Sequence, residues 1–88
     1  MELQKLPNIG PELARLLGEA EVHDSEQLRE LGTELVFLRL KAKDPAACFH
    51  KLTAIEGAVQ GIKKSRITPE RKAQLRQFFD QLPVVSKV

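Results

Sequence analysis

Apolar residues recur along the chain at three- and four-residue spacing, interrupted by proline, glycine and helix-capping residues. That rhythm sets one helix face after another against a shared core. The first clear stretch follows Gly10, with Pro11 at the opening position, where its missing N–H costs nothing. Leu13, Ala14, Leu16, Leu17 and Ala20 form its apolar stripe. A short helix over 25–31 is expected to be capped by Asp24, with Gln27 completing a capping-box pattern and Gly32 giving a left-handed stop. Thr33 reads as the cap of a third helix to about Ala42, with Leu35, Val36, Phe37, Leu38 and Leu40 to bury. Asp44-Pro45 opens a fourth, whose stripe is Cys48, Leu52, Ile55, Val59 and Ile62. Thr68-Pro69-Glu70 opens a fifth, with Leu75, Phe78, Phe79 and Leu82 inward and Pro83 as its end.

No run alternates with period two, so the expected fold is all-α: a compact five-helix bundle. At 88 residues there is material for one core, placed at residues 1–83, with 84–88 as a frayed tail. Gly57 and Gly61 fall inside the expected fourth helix, each costing about 1 kcal/mol against alanine. Close approach of another helix across this small face would offset that cost.

Composition narrows the class. With 42% hydrophobic and 30% charged residues the chain suits a folded globule, and without Trp or Tyr its core must be largely aliphatic. Cys48 is the single cysteine, which excludes an internal disulfide and points to a reducing cytoplasm; it is expected as a small core residue. No signal-peptide pattern or membrane-length apolar run is present, so neither export nor membrane insertion is expected. Charge is unevenly spread. Residues 1–34 carry eight acids against three bases, whereas residues 35–88 carry eleven bases against four acids. Such polarity either orients the molecule towards an anionic partner or simply solvates its helices.

The most specific segment is Leu6-Pro7-Asn8-Ile9-Gly10-Pro11-Glu12-Leu13-Ala14-Arg15-Leu16-Leu17. Asn8 and Gly10 tolerate left-handed backbone, which allows a tight reversal with Ile9 plugging it from inside and two antiparallel helices fastened at either side. It resembles the helix-hairpin-helix family, and the bundle is accordingly expected to be SAM/HhH-like. That resemblance implies a phosphate contact at Asn8, Ile9 and Gly10 through backbone amides. Asn8 stands where the family has its first glycine, and Pro11 removes one amide donor.

The likeness extends further, through Gln27-Leu28-Arg29-Glu30-Leu31-Gly32, Leu38-Arg39-Leu40-Lys41-Ala42, the stretch Leu52 to Ile62, and Pro69-Glu70-Arg71-Lys72-Ala73. In this order the segments resemble the C-terminal domain of TfoX/Sxy proteins. The resemblance implies a bacterial regulator of competence genes acting with transcription machinery. Typical members carry another domain ahead of this one, so the chain is expected to be a stand-alone relative or an excised piece.

No nucleophile, base and orienting group fall into a catalytic pattern, so an enzyme is not expected. His23, His50 and Cys48 form no metal-ligand spacing, and no glycine-rich phosphate loop occurs; neither cofactor, metal nor small-molecule substrate is expected. Two binding readings stay open. One is contact with a protein, either transcription machinery or a second copy of the chain. The other is duplex DNA held by its backbone, including the case of a stand-alone, sequence-independent helix-hairpin-helix module. For either, the expected surface is Lys63, Lys64, Arg66, Arg71, Lys72 and Arg76. Arg71 and Lys72 in the first turn of a helix run against the dipole preference for acids, which hints at an external demand.

Overall fold

Pro11 does open a helix, α1 (Pro11–Glu19), and the other punctuation yields α2 (Ser25–Leu31), α3 (Thr33–Lys43), α4 (Phe49–Gln60) and α5 (Pro69–Asp80). The structure, a computed structural model, describes residues 2–82; the expected Pro83 stop and the tail at 84–88 lie outside the described residues. Short 3-10 turns at Leu3–Lys5 and Lys64–Arg66 flank the helices. Among the described residues the sole strand-like pairing is an isolated bridge between Glu2 and Asp24.

α3 and α4 form the central pair, with α1 and α2 against α3 and α5 across α4. Leu17, Leu28, Phe37, Leu40, Leu52, Ile55 and Leu75 are fully buried between them. Burying each such side chain stabilises by about 1.5–3 kcal/mol, which is where the fold's cohesion originates. Phe79 of α5 meets this core with its ring tilted 6.0 Å from that of Phe37 and set edge-on 5.7 Å from that of Phe49.

The caps behave largely as their residue types dictate. The Gln27 amide donates to Asp24 Oδ1 at 2.8 Å. Gln27 Oε1 in turn accepts from the His23 amide at 2.9 Å, a capping box displaced by one residue. Thr68 Oγ1 caps α5 by accepting from the Arg71 amide at 3.2 Å. Gly32, at φ 83°, joins α2 to α3 in a backbone region that a side chain would strain. Thr33 is therefore not the cap of α3 but its buried first residue.

Four expectations are corrected. α4 begins at Phe49, not at Asp44-Pro45, because residues 44–47 close a separate turn in which the Ala47 amide donates to Asp44 O at 2.9 Å. Lys41 Nζ holds that turn by donating to the carbonyls of Pro45 (2.6 Å) and Ala47 (3.2 Å). Cys48 consequently sits at the N-cap of α4 and is exposed, not buried in the core. Gly61 ends α4 in a left-handed conformation (φ 77°, ψ 28°) and does not lie within the helix. On α3, Val36, Phe37 and Leu40 take the core, which leaves Leu35 and Leu38 on the opposite face, each 44% exposed.

One buried polar cluster fastens α5. Glu56 of α4 is almost fully buried, and its Oε1 accepts from Thr33 Oγ1 at 2.7 Å and from Arg71 Nη2 at 2.9 Å. Gln60 donates to the other carboxylate oxygen, and Arg71 also reaches Glu34 at 3.0 Å. Burial pushes the Glu56 carboxyl pKa up, but the hydrogen bonds from Arg71, Thr33 and Gln60 outweigh it and hold the group below its ordinary value. Arg71 in the first turn of α5 thus answers an internal demand from two carboxylates.

Candidate nucleic-acid interface

The hairpin turn is built by one residue. Asn8 takes the left-handed conformation (φ 70°), whereas Gly10 is extended (φ −91°, ψ −177°), as the residue before a proline prefers. Ile9 plugs the turn as expected, 5% exposed. The antiparallel pair of helices expected around it is not formed. Only the 3-10 turn Leu3–Lys5 precedes it, since Pro7 blocks extension of so short a segment. Buried Leu3 and Leu6 anchor this entry segment and leave Lys5 exposed.

The Asn8 side chain ties the turn to the far half of the chain. Its Nδ2 donates to Ile62 O at 3.0 Å and to Ala54 O at 3.5 Å, and its Oδ1 accepts from the Lys64 amide at 3.0 Å. Gly57 makes this possible. A Cβ there would overlap Asn8 Nδ2 and lie 2.7 Å from Ile62 O and 3.2 Å from the Lys64 amide. The small residue admits a side chain and a returning backbone, not a neighbouring helix.

This clasp brings the turn and the basic link between α4 and α5 to one rim. Between them lies an open depression of about 580 Å³ lined by Lys5, Leu6, Pro7, Asn8, Lys63, Lys64 and Ser65. Lys63 and Lys64 cluster in the sequence; Lys5 joins them only through the folded clasp, and Ser65, next to Lys64 in the chain, carries no charge that singles it out. Arg66 and Lys72 are exposed close by in sequence, at the end of the 3-10 turn and in the first turn of α5. Arg71 and Arg76 are engaged within the molecule. Arg71 binds Glu34 and Glu56, while Arg76 lies 4.9 Å over the Phe49 ring and pairs with Asp80 at 3.4 Å. Gly10 is exposed, and a Cβ there would meet nothing within 4 Å, so the outer side of the turn is bare.

Among the described residues no group of three His, Cys, Asp or Glu is placed to hold a metal, and no helix is long and apolar enough to cross a membrane. The model of the TfoX C-terminal domain matches residues 1–79. The chain belongs to the TfoX C-terminal domain family. Protein Sxy of Escherichia coli (strain K12) is 32% identical over 80 residues, which is 91% of this chain and 38% of Sxy. The chain therefore spans well under half the length of that relative.

Two solved structures share the fold of this TfoX C-terminal domain. An uncharacterized protein from Listeria monocytogenes in a triclinic crystal form superposes with a TM-score of 0.87 at 36% identity, covering 89% of each chain. A protein of unknown function from the same organism, in a tetragonal form, gives 0.90 at 35% identity, covering 93% of this chain and all of that one.

Proposed function

We propose that this TfoX C-terminal domain is a non-enzymatic binding module that holds duplex DNA by its backbone, and that it serves a competence- or transcription-regulating protein of the TfoX type. The reading rests on the Asn8 clasp, which fuses the hairpin turn and the basic α4–α5 link into one face. Lys63, Lys64 and Arg66 stand exposed on that link, with Lys72 beyond it, and none has a carboxylate partner among the described residues. Flexible, unpaired cations suit phosphates, and the absence of an exposed aromatic platform suits backbone contact over base stacking.

Titration of a fluorescent duplex by anisotropy at about 50 mM salt tests this reading. Three or four phosphate contacts give a slope of log K against log salt of roughly −3 to −4. Lys64→Glu with Arg66→Glu abolishes the signal without touching an internal ion pair. No binding tighter than millimolar removes the DNA reading. A second reading, contact with a protein partner or a second copy, is favoured by exposed Leu35 and Leu38 on α3. Duplex affinity that survives both reversals while Leu35→Glu disrupts a higher-mass assembly would transfer the function to that face.

A further inference from the structure

We infer that the depression between the hairpin turn and the α4–α5 link seats one sugar–phosphate unit of a DNA strand, with Lys5, Lys63, Lys64 and Ser65 around the phosphate and Leu6–Pro7 beneath the sugar. This deepens the DNA reading and rests on it. It also differs from the helix-hairpin-helix expectation, because the contacts come from side chains on two distant segments and not from the amides of the turn.

The charge pattern carries the argument. Several basic side chains elsewhere are engaged within the molecule: Arg15 pairs with Glu12 and Glu19, Lys51 with Asp44, Arg71 with Glu34 and Glu56, and Arg76 with Asp80, while Arg29 and Lys41 donate to backbone carbonyls. Around this depression three lysines share one rim, no acid lines it, and none of the three has an ion-pair partner among the described residues. Lys5 is the first base in an otherwise acidic segment, and the fold carries it across to the basic half. Like charges gathered within a screening length of about 8–10 Å repel, and an anion placed among them removes that cost. Lysine provides a mobile point charge with three donors, which suits phosphate oxygens approached from several angles.

Size and lining select the anion. The volume falls within the roughly 300–1,000 Å³ of small-ligand clefts, more than a bare phosphate fills. Leu6 and Pro7 provide an apolar floor for a deoxyribose edge, and no aromatic ring lines the site to stack a base. Both walls are fixed beforehand, one by burial of Leu3 and Leu6 and the other by the bond from the Lys64 amide to Asn8 Oδ1.

The test uses the whole chain with a fluorescein-labelled duplex, titrated from about 50 to 200 mM salt. Lys5→Ala and Lys63→Ala each weaken binding several-fold and each reduce the salt slope by about 1. Lys43→Ala, on the α1–α3 side of the molecule, leaves the slope unchanged. Lys5 is exposed, so its variant keeps the native melting curve. A native slope in Lys5→Ala overturns the seat while leaving DNA binding to the rest of the face. Absence of binding by the native chain removes both. Inorganic phosphate alone saturating the Lys63–Ser65 amide signals below millimolar would mark a free-anion site and overturn the assignment to a strand.

Discussion

Replacing Gly57 by alanine tests the clasp that organises the molecule. A methyl group at this position overlaps Asn8 Nδ2 and comes within 2.7 Å of Ile62 O. Asn8 can withdraw, but the carbonyl is backbone and moves only with the α4–α5 link. Overpacking of this kind costs about 1–3 kcal/mol. Loss of the Asn8 bonds to Ile62 O and from the Lys64 amide adds about 1 kcal/mol each. Alanine regains up to about 1 kcal/mol through helix propensity. The net loss is therefore about 2–4 kcal/mol, a lowering of the melting temperature by roughly 10–25 °C for a domain of this size. Thermal and urea denaturation followed by circular dichroism measure it. Asn8→Gly in the same background removes the side-chain overlap while keeping the left-handed turn, and it recovers part of the loss. Additive effects of the two substitutions, or a Gly57→Ala protein as stable as the native one, would refute this geometry.

Gly10→Ala makes the opposite prediction. The backbone is extended there and the space open, so stability stays level or rises by up to about 1 kcal/mol; a destabilised protein would contradict the extended turn. Glu56→Gln costs about 1–3 kcal/mol at neutral pH by weakening the charge-assisted bonds to Arg71 and Thr33. Because the Glu56 carboxyl lies below its ordinary value in the folded chain, its stabilisation is complete above about pH 4.3 and is lost as pH falls through the folded value. Urea midpoints measured across this range fall less steeply on the acid side in Glu56→Gln, and an unchanged acid limb counts against the cluster. The exposed Cys48 thiol is drawn below its ordinary pKa chiefly by the Lys51 amide at the start of α4, against a smaller opposing effect of burial. Its alkylation rate therefore reaches half-maximum at a lower pH than that of an unstructured cysteine peptide, whereas a midpoint at or above the peptide's rejects the N-cap placement.

The helices were legible because their signals are local. Pro11, Asp24, Gly32 and Thr68-Pro69 act within one turn of themselves, and each marks a real boundary. Local pattern and fold part where a distant partner decides. Leu35 and Leu38 are as apolar as Leu40, but α3 has one buried face and Val36, Phe37 and Leu40 occupy it. Cys48 matched the α4 stripe by spacing, yet the turn fixed by Lys41 places it before the helix begins. Arg71 looked like a cation seeking an external anion; its partners Glu34 and Glu56 lie on two other helices. Asn8 read as a tolerated turn residue, and only the fold reveals that its amide spans the gap to Ile62 and Lys64. The candidate face was half visible for the same reason. The lysines at 63 and 64 cluster in sequence, whereas Lys5 joins them only through that span.

Amide chemical-shift mapping of the isotopically labelled chain against a short duplex tests most directly which surface the domain uses. Binding through the clasped face perturbs residues 5–10 and 63–66 most, and the shifts fade as salt is raised. Shifts centred on Leu35, Leu38 and Arg39, or a spectrum unmoved at low salt, would contradict it.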